Sequence, residues 1–120
     1  MDEILLELKN KSEEARLKAS DDLKDLVTNT FQENSVEAAG KFMNDLNRRL
    51  FDMLNSSDSN EKLGAISAID RLITLDIEES SAKINRFSNY LRMVLPSNDF
   101  FVMAKAAKTM GRLALFSGTV

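Results

Sequence analysis

Apolar residues recur every three or four positions along most of this chain of 120 residues. That spacing places them on one side of an α-helix, whereas a half-buried strand would show strict alternation of apolar and polar residues. No stretch alternates for long enough to predict a strand. The pattern therefore predicts an all-α protein of six helices, with approximate bounds at residues 2–10, 13–32, 36–55, 59–74, 81–95 and 100–116.

Polar residues at the predicted helix starts support these breaks. Asp58, with Glu61 three positions later, matches a capping box in which each side chain binds the other's main-chain N–H. Gly118 follows the last apolar position and is predicted to end the sixth helix. Three residues suited to helix capping precede predicted helices: Ser12, Asp58 and Asp99.

The chain also contains internal copies of its own pattern. SSDSNEKLGAISAIDRLITL (56–75) aligns with PSNDFFVMAKAAKTMGRLAL (96–115) at a shift of 41 positions, although the polar lead-ins match only loosely. A fainter copy, KSEEARLKASDDLKDLV (11–27), aligns with the first at a shift of 46. These shifts make equivalent positions of Ala19, Ala65 and Ala106, and of Arg71 and Arg112.

The helix that precedes each copy repeats at the same two shifts. Ile4 and Leu8 fall on Leu50 and Leu54, and these fall on Leu91 and Leu95. Periods of this length are typical of two-helix solenoid repeats of the HEAT and armadillo kind. We therefore predict a single α-α superhelix of about three helix pairs, with repeats at 1–34, 35–75 and 76–117. The alternative, an irregular bundle, gives no reason for both helices of a pair to align at one shift.

The composition bounds the function. The formal net charge is −3 and the sequence pI is about 5.0, which argues against nucleic-acid binding by the chain as a whole. There is no cysteine for a disulfide or a thiolate metal site. No apolar run approaches the length of a membrane span, and the N-terminal residues do not resemble a signal peptide.

The segment lacks several residue types and motifs that enzymes commonly use for catalysis. The chain has no histidine, the commonest general base and metal ligand. It also has no glycine-rich phosphate loop, so we expect no enzyme activity, no cofactor and no metal in the segment itself. The acidic pairs at 21–22 and 78–79 are interpreted as solvated surface pairs, and Gly64 is predicted to let two helices approach closely.

The C-terminal part of the chain is basic. Residues 81–120 carry 6 basic and 1 acidic side chains, whereas residues 1–80 carry 10 and 18. Lys105, Lys108 and Arg112 fall on one side of the last helix and are the candidate partner-binding residues. Such a face suits an acidic partner, phosphate groups or an anionic membrane; the alternatives are a solvated face or the counterpart of an acidic next repeat. Three further cations lie on the preceding helix: Lys83, Arg86 and Arg92.

Large apolar side chains also collect at this end. Phe100, Phe101 and Phe116 stand where the terminus of a solenoid should be polar, so we expect either a longer array or something packed against this end. Five methionines are predicted to fill the core: Met43, Met53, Met93, Met103 and Met110.

Two stretches near the C-terminus carry a family resemblance. RFSNYLRMVLPSND (86–99), followed by VMAKAAKTMGRLAL (102–115), closely resembles the N-terminal region of target of rapamycin kinases. SSDSNEKLGAISAIDRLI (56–73) and KSEEARLKASDDLKDLV (11–27) resemble the stretches before it. Generic HEAT repeats share the periodicity but not the string YLRMVLPSND.

The resemblance implies a parent that is a very large serine/threonine kinase of the phosphatidylinositol-3-kinase-related class. Such a parent has an N-terminal HEAT solenoid, a FAT region, a rapamycin-binding domain and a C-terminal kinase domain, to which ATP and magnesium belong. This chain would be the start of the solenoid, a scaffold that helps the kinase dimerise and docks accessory subunits such as raptor in nutrient and growth signalling. A cytoplasmic location, or one on lysosomal, vacuolar or other endomembranes, is implied too. The alternative hypothesis is a free-standing armadillo-like adaptor unrelated to a kinase.

Overall fold

The structure is a computed structural model that describes residues 1–117. Within that range it confirms the prediction of six helices and shows no strand. The predicted helix end at Gly118 lies outside the described residues. The helices are α1 (Asp2–Glu7), α2 (Glu13–Glu33), α3 (Val36–Leu54), α4 (Ser59–Leu72), α5 (Ser80–Arg92) and α6 (Phe100–Ser117).

The helices pack as consecutive pairs, α1 with α2, α3 with α4 and α5 with α6. The second helices of the pairs also stack on one another, α2 against α4 and α4 against α6. The domain measures 41 × 35 × 21 Å, and its thin dimension is that of two helix layers, since packed helix axes lie about 8–10 Å apart. This architecture confirms the predicted α-α superhelix. One pair lies within each predicted repeat, whereas the repeat boundaries themselves stay a prediction.

Equivalent positions of the repeats occupy equivalent places in the core. The alanines that the two shifts align are all buried, at no more than 3% exposure, where the stacked second helices approach one another. The aligned leucines of the first helices are buried in the same core or packed against it. Small buried side chains at these positions allow α2, α4 and α6 to stack closely, and the aligned apolar residues in and after the first helices complete the core.

The starts of α2, α4 and α6 share one local structure. In each, the capping side chain accepts a hydrogen bond from the first turn of the helix. The N–H of the capping residue is in turn bound by the side chain two positions earlier: Asn10 Oδ1 to Ser12 N (2.8 Å), Ser56 Oγ to Asp58 N (3.1 Å) and Ser97 Oγ to Asp99 N (3.1 Å). The interpretation of the polar lead-ins as loosely matched was therefore wrong.

The predicted capping box at the start of α4 was also wrong. Glu61 does not accept a hydrogen bond from the N–H of Asp58, because that N–H donates to the Ser56 hydroxyl instead. Instead, Glu61 accepts a hydrogen bond from the Ser56 hydroxyl at 2.6 Å and forms an ion pair with Lys9 at 3.4 Å. The carboxylate thus ties the end of α1 to the start of α4 rather than capping α4.

The predicted close approach at Gly64 is confirmed, since this residue of α4 lies against the main chain of Leu8 at the end of α1. The prediction for the methionines holds only in part. Met43 and Met53 are buried, but Met93 is 39% exposed and Met103 36% exposed. None of the helices among residues 1–117 is long and apolar enough to cross a membrane.

Candidate interaction surface

The stacked helices α2, α4 and α6 line a groove of about 730 Å³. The start of α2 contributes Glu13 and Leu17, the start of α4 contributes Leu63, and α6 contributes residues from Phe101 to Arg112. The groove lies on the layer formed by the second helix of each pair. It therefore depends on stacking of all three pairs and would not exist in any one of them.

The three candidate partner-binding residues lie together in this groove. Lys105, Lys108 and Arg112 all line it, because their spacing places them along one side of α6. Lys105 is half-buried and Lys108 is exposed. The structure thus brings the predicted residues together, and their role in partner binding stays a prediction.

Arg112 is already engaged in a network of charges. Its Nη1 lies 2.7 Å from both carboxylate oxygens of Asp70 on α4. Arg71, the neighbour of Asp70, donates from Nη1 to that carboxylate at 2.9 Å and from Nε to Asp21 on α2 at 2.6 Å. Alternating charges therefore run across the three stacked helices in the order Asp21, Arg71, Asp70, Arg112, and we call this set the charge ladder.

Sequence reasoning missed Arg71 as a groove residue, although one signal pointed to it. The shift of 41 aligns Arg71 with Arg112, and equivalent positions of stacked helices lie side by side in a solenoid. Asp21 and Asp22 are solvated, as interpreted from the sequence, with side chains 61% and 47% exposed. The first also binds Arg71, and the second pairs with Lys18 at 3.1 Å. No local sequence pattern indicates that Asp21 meets a side chain 50 positions away.

Arg16 was also missed, and its role is structural. Only 6% of it is exposed, and its Nη1 donates to the carbonyl oxygens of Asn10 (2.8 Å) and Lys11 (2.9 Å) and to Oδ1 of Asn60 at 3.4 Å. The guanidinium thus provides hydrogen bonds to two carbonyl oxygens of the loop that joins α1 and α2, and it links this loop to α4. It adds positive charge to the groove lining, and its Nε is buried without a hydrogen-bond partner among the described residues.

The environment of Lys105 disfavours its charged form. Partial burial lowers the pKa of this ammonium, and the positive charges of Arg16 and Arg71 lower it further. Glu13 and Asp70 act in the opposite direction but do not cancel the effect of burial. An anion in the groove would therefore relieve an unfavourable charge at Lys105.

The basic residues of α5 do not form a second binding face. Lys83 is buried, and its Nζ donates to the carbonyl oxygen of Leu75 at 2.7 Å. Arg86 pairs with Glu78 and lies 4.6 Å from the ring centre of Phe87, so the interpretation of Glu78 as part of a solvated pair was wrong. Arg92 alone of these three cations is exposed.

Exposed apolar side chains lie at both ends of α6. Phe100, Phe101, Leu115 and Phe116 are each between 55% and 73% exposed, and the rings of Phe100 and Phe101 meet edge to face with centroids 6.0 Å apart. The expected lack of a polar terminus at this end is thus visible within the described residues. Of these four residues, Phe101 also lines the groove.

The chain is similar to named kinases over nearly its whole length. It is 43% identical over 118 residues to the serine/threonine-protein kinase tor1 of Schizosaccharomyces pombe, a match that covers 98% of this chain and 5% of that protein. It is 37% identical to TOR2 of Saccharomyces cerevisiae, over 94% of this chain and 5% of that one. It is 32% identical to TOR of Arabidopsis thaliana, over 78% of this chain and 4% of that one.

The other comparisons add no further relative. No protein-family model matches the chain, and the search of solved structures found no significant match. In the matches that were found, the chain spans about a twentieth of the length of each relative. Identity at this level across most of the described helices shows that the chain belongs to the family of TOR serine/threonine-protein kinases and corresponds to one short segment of them.

Proposed function

We propose that this chain is the N-terminal scaffold segment of a TOR-like serine/threonine kinase and assembles complexes by protein–protein contact in nutrient and growth signalling. The observation that carries the proposal is the match of nearly the whole chain to a short part of TOR kinases, folded as a stack of helix pairs. A stack of this kind presents a ridged surface whose shape is fixed by helix packing. Such surfaces position partners in other repeat proteins.

The rest of the parent supplies the chemistry under this proposal. ATP and magnesium bind to a kinase domain outside these residues, and the segment docks accessory subunits of the raptor kind and other parts of the solenoid. The parent is dimeric within a complex and cytoplasmic, including the surfaces of lysosomes, vacuoles or other endomembranes. The matches argue against a free-standing adaptor unrelated to a kinase, because the three relatives described above are named as kinases.

Two charge-reversal variants of a full-length TOR kinase that contains this segment test the proposal, one on each layer of the stack. Lys105→Glu with Lys108→Glu changes the groove layer, and Lys41→Glu with Arg92→Glu changes exposed positions of the α3 and α5 layer. The purified kinase is analysed for its accessory subunits by gel filtration, and limited proteolysis checks that the solenoid is folded. We expect at least one folded variant to lose an accessory subunit. If both variants retain every subunit at full stoichiometry and instead phosphorylate a short peptide more slowly, the segment supports catalysis rather than docking, and the proposal fails.

A further inference from the structure

The groove contains cationic donor groups that have no anion bound to them among residues 1–117. Lys105 and Lys108 form no ion pair within hydrogen-bonding distance in the described part of the chain. Arg112 uses only Nη1 on Asp70, which leaves its Nε and Nη2 without a partner there. Three neighbouring side chains on one side of α6 thus offer hydrogen-bond donors to a negatively charged ligand.

The balance of charge in the groove is opposite to that of the chain. Five cationic and three acidic side chains line it, whereas the whole chain has a formal net charge of −3. A concave surface with low-dielectric walls concentrates such a field and attracts ligands of opposite charge. The groove is therefore a positive area on an acidic protein.

Apolar side chains line the same groove. Leu17 of α2 and Leu63 of α4 are half-buried in its wall, and Phe101 of α6 is 73% exposed at its edge. An exposed aromatic ring beside cations is the composition of an interface that gains energy from both apolar contact and charge. A ligand that only neutralised the lysines would leave these apolar groups in contact with water.

Among anionic ligands, the geometry favours a polypeptide. A flat membrane surface is poorly matched to a concave groove whose Lys105 is half-buried, and a single phosphate cannot span from Lys108 to Leu63 and Leu17. Lys105 and Lys108 lie one helical turn apart, with Cβ atoms about 5–6 Å from each other, and their flexible side chains can reach alternate residues of an extended chain, which are about 6.6–6.8 Å apart. We infer that the groove binds an acidic stretch of polypeptide that carries apolar side chains, an inference that rests on the proposed docking function.

The 120-residue chain and a defined probe test this inference. The probe is a short fluorescein-labelled peptide in which Glu residues are interspersed with Leu and Ser, and the matched peptide has Gln in place of every Glu. Binding is measured by fluorescence anisotropy, with inorganic phosphate and phosphatidylserine vesicles as separate ligands. Circular dichroism and the melting temperature establish that each variant is folded.

We expect the Glu peptide to bind and the Gln peptide to bind at least tenfold more weakly. Lys105→Glu with Lys108→Glu should weaken binding of the Glu peptide at least tenfold. Lys41→Glu with Arg92→Glu makes the same change in net charge outside the groove and should leave the affinity within about twofold. Phe101→Ser, at an exposed position, should weaken binding without unfolding the chain and so gives a result even if the double lysine variant fails to fold.

Three results would overturn the inference: equal binding of the Glu and Gln peptides, equal loss of affinity in the two double variants, or binding of phosphate or vesicles without binding of the peptide. The first would show that charge is irrelevant, the second that only the overall charge matters, and the third that the ligand is a different anion. None of these results bears on the docking of subunits through the α3 and α5 layer. Failure here is therefore distinguishable from failure of the proposed scaffold function.

Discussion

A Cβ atom on Gly64 would stand 1.8 Å from the carbonyl oxygen of Leu8 and 2.7 Å from its carbonyl carbon. Both atoms belong to the main chain at the end of α1, so they cannot rotate away as the tip of a flexible side chain can. Helix α4 could accept a larger residue only by moving away from α1. The absence of a side chain at this position is what lets the two helices touch.

Gly64→Ala should therefore destabilise the chain, although alanine is the better helix former by about 1 kcal/mol. We expect the clash to exceed that gain and to lower the free energy of unfolding by roughly 1–3 kcal/mol, as overpacking of a close contact does. Urea unfolding followed by circular dichroism measures the change.

Gly40 and Gly111 provide matched controls for this substitution. Both lie inside helices, and a Cβ on either would meet no atom within 4 Å. Gly40→Ala and Gly111→Ala should each stabilise the chain by about 0.5–1 kcal/mol. An equal, stabilising effect of all three substitutions would contradict the close approach of α1 and α4.

Leu91→Ala should lower the free energy of unfolding by roughly 2–5 kcal/mol, because this side chain is fully buried at a position that recurs in each helix pair. Leu6→Ala is the control, since Leu6 is 67% exposed on α1, and it should change stability by less than about 0.5 kcal/mol. Chemical denaturation of both variants under identical conditions checks the difference. Similar small effects at the two sites would show that the third pair is not packed into the common core.

The fold could be predicted largely because its information is local or periodic. Helix starts at Ser12, Asp58 and Asp99 depend on side chains within three residues of each cap, and the repeated leucines and alanines mark the buried sides. The predicted helix ends were less accurate. Helix α5 ends at Arg92 rather than at residue 95, because residues 93–96 form a turn with hydrogen bonds between residues three positions apart. No capping residue in the sequence indicates this earlier end.

Asp70→Asn should destabilise the chain by about 1–3 kcal/mol, because it removes the carboxylate that Arg71 and Arg112 share. The Asp70 side chain is only 14% exposed, so solvent screens this interaction less than it screens a surface pair. Asp52→Asn, at an exposed position of α3, should change stability by less than about 0.5 kcal/mol. Thermal and urea unfolding of the two variants provide the comparison.

A double-mutant cycle isolates the contact between α4 and α6. Arg112→Gln is combined with Asp70→Asn, and the coupling energy is expected at about 0.5–2 kcal/mol in favour of the pair. Additive effects of the two substitutions would show that the charges do not interact in solution, whatever their separation in the structure. High salt should reduce the coupling only partly, since the carboxylate is mostly buried.

The pKa of Asp99 provides a test that depends on pH. It is lowered in the folded chain, first by a hydrogen bond from the Ser59 side chain and then by the N–H of Val102. A carboxyl group whose pKa falls on folding stabilises the fold above its unfolded-state pKa, near 3.9, and loses that contribution as the pH falls through the lower folded-state value. Asp99→Asn keeps a short capping side chain but removes the charge.

The free energy of unfolding of the unsubstituted 120-residue chain should therefore fall more steeply than that of Asp99→Asn as the pH is lowered below about 4. Urea unfolding at a series of pH values measures the difference between the two proteins. A difference that does not change with pH would mean that Asp99 has the same pKa in the folded and unfolded states. Asp52→Asn serves as the control for general charge effects, because no hydrogen bond among residues 1–117 ties the Asp52 carboxylate to a helix start.

The candidate site was predicted from the spacing of residues along α6 alone. Spacing along α6 was enough to place Lys105, Lys108 and Arg112 together, but the groove also needs α2 and α4. The shift of 41 could have placed Arg71 beside Arg112, but the contact of Arg112 with Asp70 depends on how helices stack that lie more than 40 positions apart in sequence. Periodicity predicts which side of a helix is buried, whereas the pairing of charges across helices is set by the packed three-dimensional arrangement.

The charge ladder also affects how the stack of helices resists bending. It joins α2 to α4 and α4 to α6 through contacts of 2.6 and 2.7 Å on the grooved layer, so any bending that spreads this layer must stretch both links. The opposite layer is joined by Asp2 with Arg49 and by the tilted rings of Phe51 and Tyr90. Bending that widens the groove stretches the ion pairs of the charge ladder, whereas bending that narrows it stretches the exposed pair of Asp2 with Arg49 and the contact of the two rings. Different groups therefore resist bending in the two directions, and a ligand that spans the groove would add to the resistance against widening.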